Sequence, residues 1–283
     1  MWLKIFCIQE LFKIPHLANS PELVFAISAA TLAGSVWFGN AVLSKYRTKD
    51  TETSADLGII QTATLTLLGL IIGFTFSMAI ARYDLRQTYE EAEANAIGTE
   101  FLRADLLPSK TAETIKGLLN EYLDQRILFY SKQDQETIQQ IRRRTNALEG
   151  ALWNELLPIA RTQPTPTIAL AVSGMNDVIN SQGYTQAAWW NRIPGAAWWL
   201  MAAIAIGANI LVGFGARNFK SNVGLFMIFP VMISISFFLI ADIDSPRGGV
   251  IRIDPRNLID LKQNIAPKNS ATHSIGDQKW NEL

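Results

Sequence analysis

The chain has 283 residues, and its 25 Lys and Arg balance 25 Asp and Glu, so nothing in the charge points to a polyanionic partner such as nucleic acid. Charged residues make up 18% and apolar residues 49%, a balance that leans toward a membrane protein. Cys7 is the single cysteine and cannot close an internal disulfide, while His16 and His273 stand near opposite ends with no metal-ligand spacing.

Residues 1–20, MWLKIFCIQELFKIPHLANS, break their apolar run at Glu10, Lys13 and Pro15 and lack a small-residue cleavage site, which argues against a cleaved signal peptide. Trp2, Leu3, Ile5, Phe6, Ile8, Leu11 and Phe12 share one helical face, so the segment is expected to lie amphipathically in the membrane interface. Crossing a hydrocarbon core takes roughly 20 apolar residues in a helix. Four stretches qualify: Glu22–Ser44, Leu57–Ala81, Pro194–Ala216 and Asn222–Ala241. Trp189, Trp190, Trp198 and Trp199 bracket the start of the third, as an interfacial belt does.

The second span does not stop at the membrane. LGLIIGFTFSMAIARYDLRQTYEEAEANAIGTE, residues 68–100, keeps its helical period while passing from apolar to charged, and no proline interrupts it before Pro108. A helix from Leu57 to Leu107 would be roughly 75 Å long, far more than a bilayer needs. Further helices are predicted at Ser109–Lys132, Gln135–Ala160 and Thr165–Gln182. The expected fold class is an all-α membrane protein, four transmembrane helices with the long second one continuing into a cytoplasmic helical bundle. Its parts are an interfacial segment over 1–20, transmembrane helices 1 and 2 within 21–81, the helical domain over 82–193, transmembrane helices 3 and 4 within 194–241, and a C-terminal tail over 242–283, disordered after about 262.

Four spans put both termini and the helical domain on one side. Lys45, Arg47, Lys49, Arg217 and Lys220 crowd the short loops, but Lys4, Lys13, Arg82, Arg86, Arg192, Arg247, Arg252 and Arg256 form the larger set opposite. The larger set places the termini in the cytoplasm.

Gly58, Thr62, Thr66, Gly69, Gly73 and Ser77 recur at spacings of three and four along the second span. Such a stripe of small side chains serves either close helix packing or a wall facing water or an ion path. Glu90, Glu93 and Glu100 share a face beyond the membrane, and Arg82, Asp242, Asp244 and Arg247 flank the spans. These read as an acidic vestibule or cation site, or as groups docking neighbouring helices. No H-E-x-x-H, C-x-x-C, P-loop or G-x-S-x-G occurs, so no enzyme, cofactor or metal is expected.

The motif IIGFTFSMAIARYDLRQ is similar to the bestrophin segment in which a pore-lining helix carries Gly-Phe, an apolar stretch, then Arg and an aromatic, here Gly73, Phe74, Arg82 and Tyr83. Together with EAEANAIGTEFLRADLLP, ending at Pro108, and DIDSPRGGVIRIDP at Asp242–Pro255, it resembles a bestrophin-like family of bacterial membrane proteins over nearly the whole chain after Ala55. Bestrophins are pentameric anion or cation channels whose apolar neck is built at i, i+4 and i+8 of this helix. The resemblance therefore implies a homo-oligomer in the bacterial inner membrane, possible passage of inorganic ions, and a neck at Thr66, Leu70 and Phe74. Thr66 departs from the apolar pattern, and the acidic calcium clasp of animal bestrophins has no match after the fourth span. Two activities stay open: an ion channel, or a non-conducting scaffold or sensor whose long helix couples the bilayer to the helical domain. Secondary transport is disfavoured because the spans show no internal repeat.

Overall fold

The structure, a computed structural model, describes residues 20–46, 51–216, 219 and 221–265. All but the last residue of the interfacial segment, the loop cations Arg47, Lys49, Arg217 and Lys220, and the tail beyond Ile265 lie outside the described residues. The chain runs through α1 (Pro21–Ala41), α2 (Thr51–Arg103), α3 (Ser109–Ser131), α4 (Gln135–Thr162), α5 (Pro166–Trp190), α6 (Gly195–Gly215), α7 (Val223–Asp244) and α8 (Arg256–Ile265). Short 3-10 turns occupy Leu43–Tyr46 and Ala104–Leu106, and there is no strand among the described residues. Among the described residues, four helical stretches are long and apolar enough to cross a bilayer. It is an all-α membrane protein.

Local chemistry sets the ends. Pro21 and Pro166 open α1 and α5, and Pro108 and Pro194 precede α3 and α6, all positions where a missing N–H costs nothing. Asp134 caps α4 by accepting the Thr137 N–H at 2.8 Å. With no such breaker inside it, α2 holds 53 residues, roughly 80 Å of helix. It ends in the 3-10 turn ahead of Pro108. α5 continues past Gln182, the end predicted from the sequence, and stops only near Pro194, which disfavours helix at the residue before it. Thr185, Gln186, Ala188 and Trp189 are buried on that extension. α8 stands within the C-terminal tail, where no helix is expected.

The chain forms two compact units. One takes the described residues up to Tyr89 and within Gln182–Asp254; the other takes Glu90–Ser181 and the described residues from Pro255 to Ile265. The first is built around Leu32, Leu68, Ala79, Met201, Ala205, Ala208, Phe237 and Ile240. Its tightest contact joins α1 to α6. A Cβ at Gly213 would run into the Val36 carbonyl, and one at Gly39 into the Ile210 carbonyl. The two backbones touch there, as small residues permit in membrane helices. Asn40 Nδ2 closes the contact by donating to the carbonyls of Ala216 at 3.3 Å and Gly213 at 3.4 Å. Gly213→Val is expected to force the pair apart and destabilise the protein by about 1–3 kcal/mol. A lowered Tm of the purified protein in detergent checks it. Gly207→Ala, where an added Cβ meets nothing within 4 Å, should leave Tm almost unchanged.

The second unit is a helical bundle. Ile138, Ile141, Thr145, Leu148, Leu152 and Leu156 are buried at three- and four-residue spacing along α4. They share a core with Ile97, Ile115, Leu119, Tyr122, Leu123 and Phe129. An ionic network lies inside it: Arg126 is paired with Glu93, donating from Nη2 to Glu93 Oε2 at 3.3 Å, and Tyr130 Oη donates to the same oxygen at 3.2 Å. Tyr122 Oη donates to Glu149 at 3.4 Å, and burial holds the Glu149 carboxyl above the usual carboxylate range.

Candidate functional site

Every second-span residue singled out by its small side chain is exposed in the protomer: Gly58, Thr62, Thr66, Gly69, Gly73 and Ser77. Added Cβ atoms at Gly58, Gly69 and Gly73 would meet nothing within 4 Å. The face that α2 turns into its own unit is a different one, carried by Leu68, Thr75 and Ala79, with Leu65, Ile71, Ile72 and Phe76 partly buried beside them. Within the protomer, close backbone packing is therefore the work of Gly39 and Gly213. The stripe on α2 is exposed along its length in the protomer, and its three glycines have open space beside them.

Thr66, Leu70 and Phe74 lie on this open face at i, i+4 and i+8. Leu70 is 53% and Phe74 65% exposed, unusually high for large apolar side chains and acceptable only against lipid or another subunit. Thr62 and Thr66 turn their hydroxyls inward, donating to the carbonyls of Gly58 at 2.8 Å and Thr62 at 2.9 Å. The face is thus weakly polar, with no hydrogen-bond donor left over on those threonines.

The charged candidates are held at helix contacts. Arg82 is half-buried, with Nη2 3.6 Å from Met78 Sδ. Glu90 is fully buried and receives the Leu258 N–H at 3.1 Å and Asn257 Nδ2 at 2.7 Å, which caps the start of α8 from α2. Glu93 is buried against Arg126 and Tyr130. Glu100 is buried beside Gly174. Asp242 receives the N–H groups of Val250 and Ile251 at 2.7 and 2.9 Å, closing the Ser-Pro-Arg-Gly-Gly loop against Gly249. Asp244 receives the Ile193 N–H at 3.1 Å, pinning the link into α6 to the end of α7. Arg247 lays its guanidinium over the Trp189 ring at 4.2 Å.

Arg86 is the residue that residue-type reasoning undervalues. It is 1% exposed and donates to four main-chain carbonyls: Ala188 at 3.2 Å, Asn191 at 3.2 Å, Ile243 at 3.3 Å and Asp244 at 3.2 Å. These are the carbonyls that end α5 and α7, which the helices themselves cannot satisfy. One cation thus serves the negative ends of two helices at once. The signal in the sequence is spacing: Thr75, Ala79 and Arg86 lie on one buried face of α2. Among the described residues, no group of three or more His, Cys, Asp or Glu is arranged to hold a metal.

A model of the Bestrophin-like domain matches residues 25–258. In fold, the chain is similar to a point mutant of a bacterial bestrophin homologue from Klebsiella pneumoniae, with TM-score 0.56 and 12% identity over 85% of this chain and 98% of that one. Another structure of the homologue aligns with TM-score 0.55 and 14% identity over 85% and 97%. A point mutant described as a membrane protein aligns with TM-score 0.55 and 13% identity over 86% and 98%. No curated protein matches.

Proposed function

The chain belongs to the Bestrophin-like family, and from that premise we propose that it is a homo-oligomeric ion channel of the bacterial inner membrane, its pore lined by the open face of α2. One observation carries this reading: a continuous row of small and weakly polar residues, Gly58 to Ser77, runs along a membrane-crossing helix and is exposed in the protomer, with open space beside its glycines. Lipid has no use for such a row, whereas a ring of copies around an axis turns it into a wall. The family resemblance supports a copy number of five. The helical domain and both termini then lie in the cytoplasm. Passage of ions, not catalysis, is the proposed activity, and no cofactor enters it.

Thr66, Leu70 and Phe74 form the neck in this reading. Rings of leucine and phenylalanine exclude water from a narrow bore, so a small widening wets the pore and opens it. Phe74→Ala removes the largest of these side chains from a position that is 65% exposed in the protomer. It is expected to raise ion flux severalfold through liposomes reconstituted with purified oligomer, with little change in Tm. If wild type and Phe74→Ala are both intact, oligomeric and without flux, the channel reading fails. A non-conducting scaffold or sensor is then the better account.

A further inference from the structure

We infer that the contact of α2 with α5 at Gly174 is a proton-operated joint: protonated Glu100 holds the two helices together, and its ionisation releases them. The joint lies within the helical unit and stands independently of ion conduction.

Glu100 is fully buried, and neither carboxyl oxygen has a hydrogen-bond partner. A buried carboxylate so placed is strongly disfavoured unless it carries a proton. The reason for its position is Gly174. A Cβ there would strike Glu100 Oε2 and Arg103 Nη1, so only glycine lets the α5 backbone close over both side chains. Two charged groups face the carboxyl: Arg103 from its own helix and Asp177 from α5. Arg103 ends beside the same glycine yet makes no ion pair with Glu100. A cavity of about 270 Å³, lined by Asn95, Ala96, Thr99, Arg103, Gly174 and Asp177, borders the contact and gives water a route to it. The carboxyl is thus sealed by one glycine from a water-accessible space that already holds a cation able to take it.

Burial is the main cause that pushes the Glu100 carboxyl from its ordinary 4.5 up to about 8; Arg103 opposes the rise and Asp177 adds to it. The closed joint therefore binds a proton that the open joint gives up. Between these two values the open fraction rises toward ten-fold per pH unit, and above about pH 8 both forms are ionised and the dependence ends. Closure is complete on the acid side and is lost as pH rises.

Hydrogen exchange by mass spectrometry on the full-length protein in detergent, from pH 5.5 to 8.5 and corrected for intrinsic exchange chemistry, tests this. In the wild type, opening of the α5 segment around Gly174 is expected to rise toward ten-fold per pH unit and to level off near pH 8. Glu100→Gln, a neutral isostere, is expected to flatten that rise. Asp177→Asn is expected to move the levelling-off to lower pH, and it carries the test if the first variant does not fold. A wild type with no pH-dependent opening at this segment overturns the joint. So does a rise of equal slope in Glu100→Gln, or a levelling-off unmoved in Asp177→Asn.

Discussion

Replacing Arg126 with methionine is expected to destabilise the helical unit by about 3–5 kcal/mol, enough to unfold it in many preparations. The effect is large because of what stays behind. Arg126 is 1% exposed and Glu93 is fully buried, and they are joined across the bundle core by α2 and α3. Methionine fills much of the same volume, so lost packing is a minor part; the guanidinium over the Phe129 ring at 4.5 Å adds a modest share. The dominant cost is a carboxylate left in the core without its cation, Tyr130 still donating to it. That cost is removable. The double variant Glu93→Gln with Arg126→Met takes away both charges and should recover a large part of the lost stability. Thermal unfolding followed by circular dichroism on the four proteins of this cycle gives the coupling directly. A double variant no more stable than Arg126→Met alone would show that the pair is not the source of the loss.

Arg86→Leu is expected to cost about 2–6 kcal/mol, because at least two buried helix ends each lose donors at about 1–3 kcal/mol per orphaned group. Four carbonyls are involved, on segments that end α5 and α7. Arg86→Lys should recover only part. An ammonium can reach one helix end but does not present the planar fork that spans two. The expected order of Tm in detergent is wild type, then lysine, then leucine, and a lysine variant equal to wild type would mean that charge alone suffices.

The contrast between these two arginines explains what residue order reveals and what it withholds. Helix starts were legible because they are written in side chains: Pro108 before α3, Asp134 before α4 and Pro166 at α5 each act on their own neighbours. The four apolar stretches were legible because solvation in lipid is a property of composition. The role of Arg86 was not, since its partners are main-chain carbonyls more than a hundred residues away, and any residue supplies a carbonyl. The same holds for Gly39 and Gly213, which look like any other membrane glycines until two backbones are seen to touch. α8 is only partly legible: Leu258, Leu261 and Ile265 repeat at helical spacing, and Leu258 is fully buried, but polar residues outnumber this short apolar face. For the neck candidates, order supplied the face, and the protomer shows that face to be open. What occupies it is a property of the assembly.

The threonines of that open face bear on how such an assembly is made. Thr62 and Thr66 each return their hydroxyl proton to a carbonyl one turn back in the same helix. A polar group already bonded within its own helix adds little to the cost of residing in hydrocarbon. If α2 lines a pore as proposed, a newly made chain can be released sideways into lipid as a single copy, with this face bathed in acyl chains. Insertion and assembly would then be separable events in time, and a solitary chain would leave no stranded polar surface on these threonines.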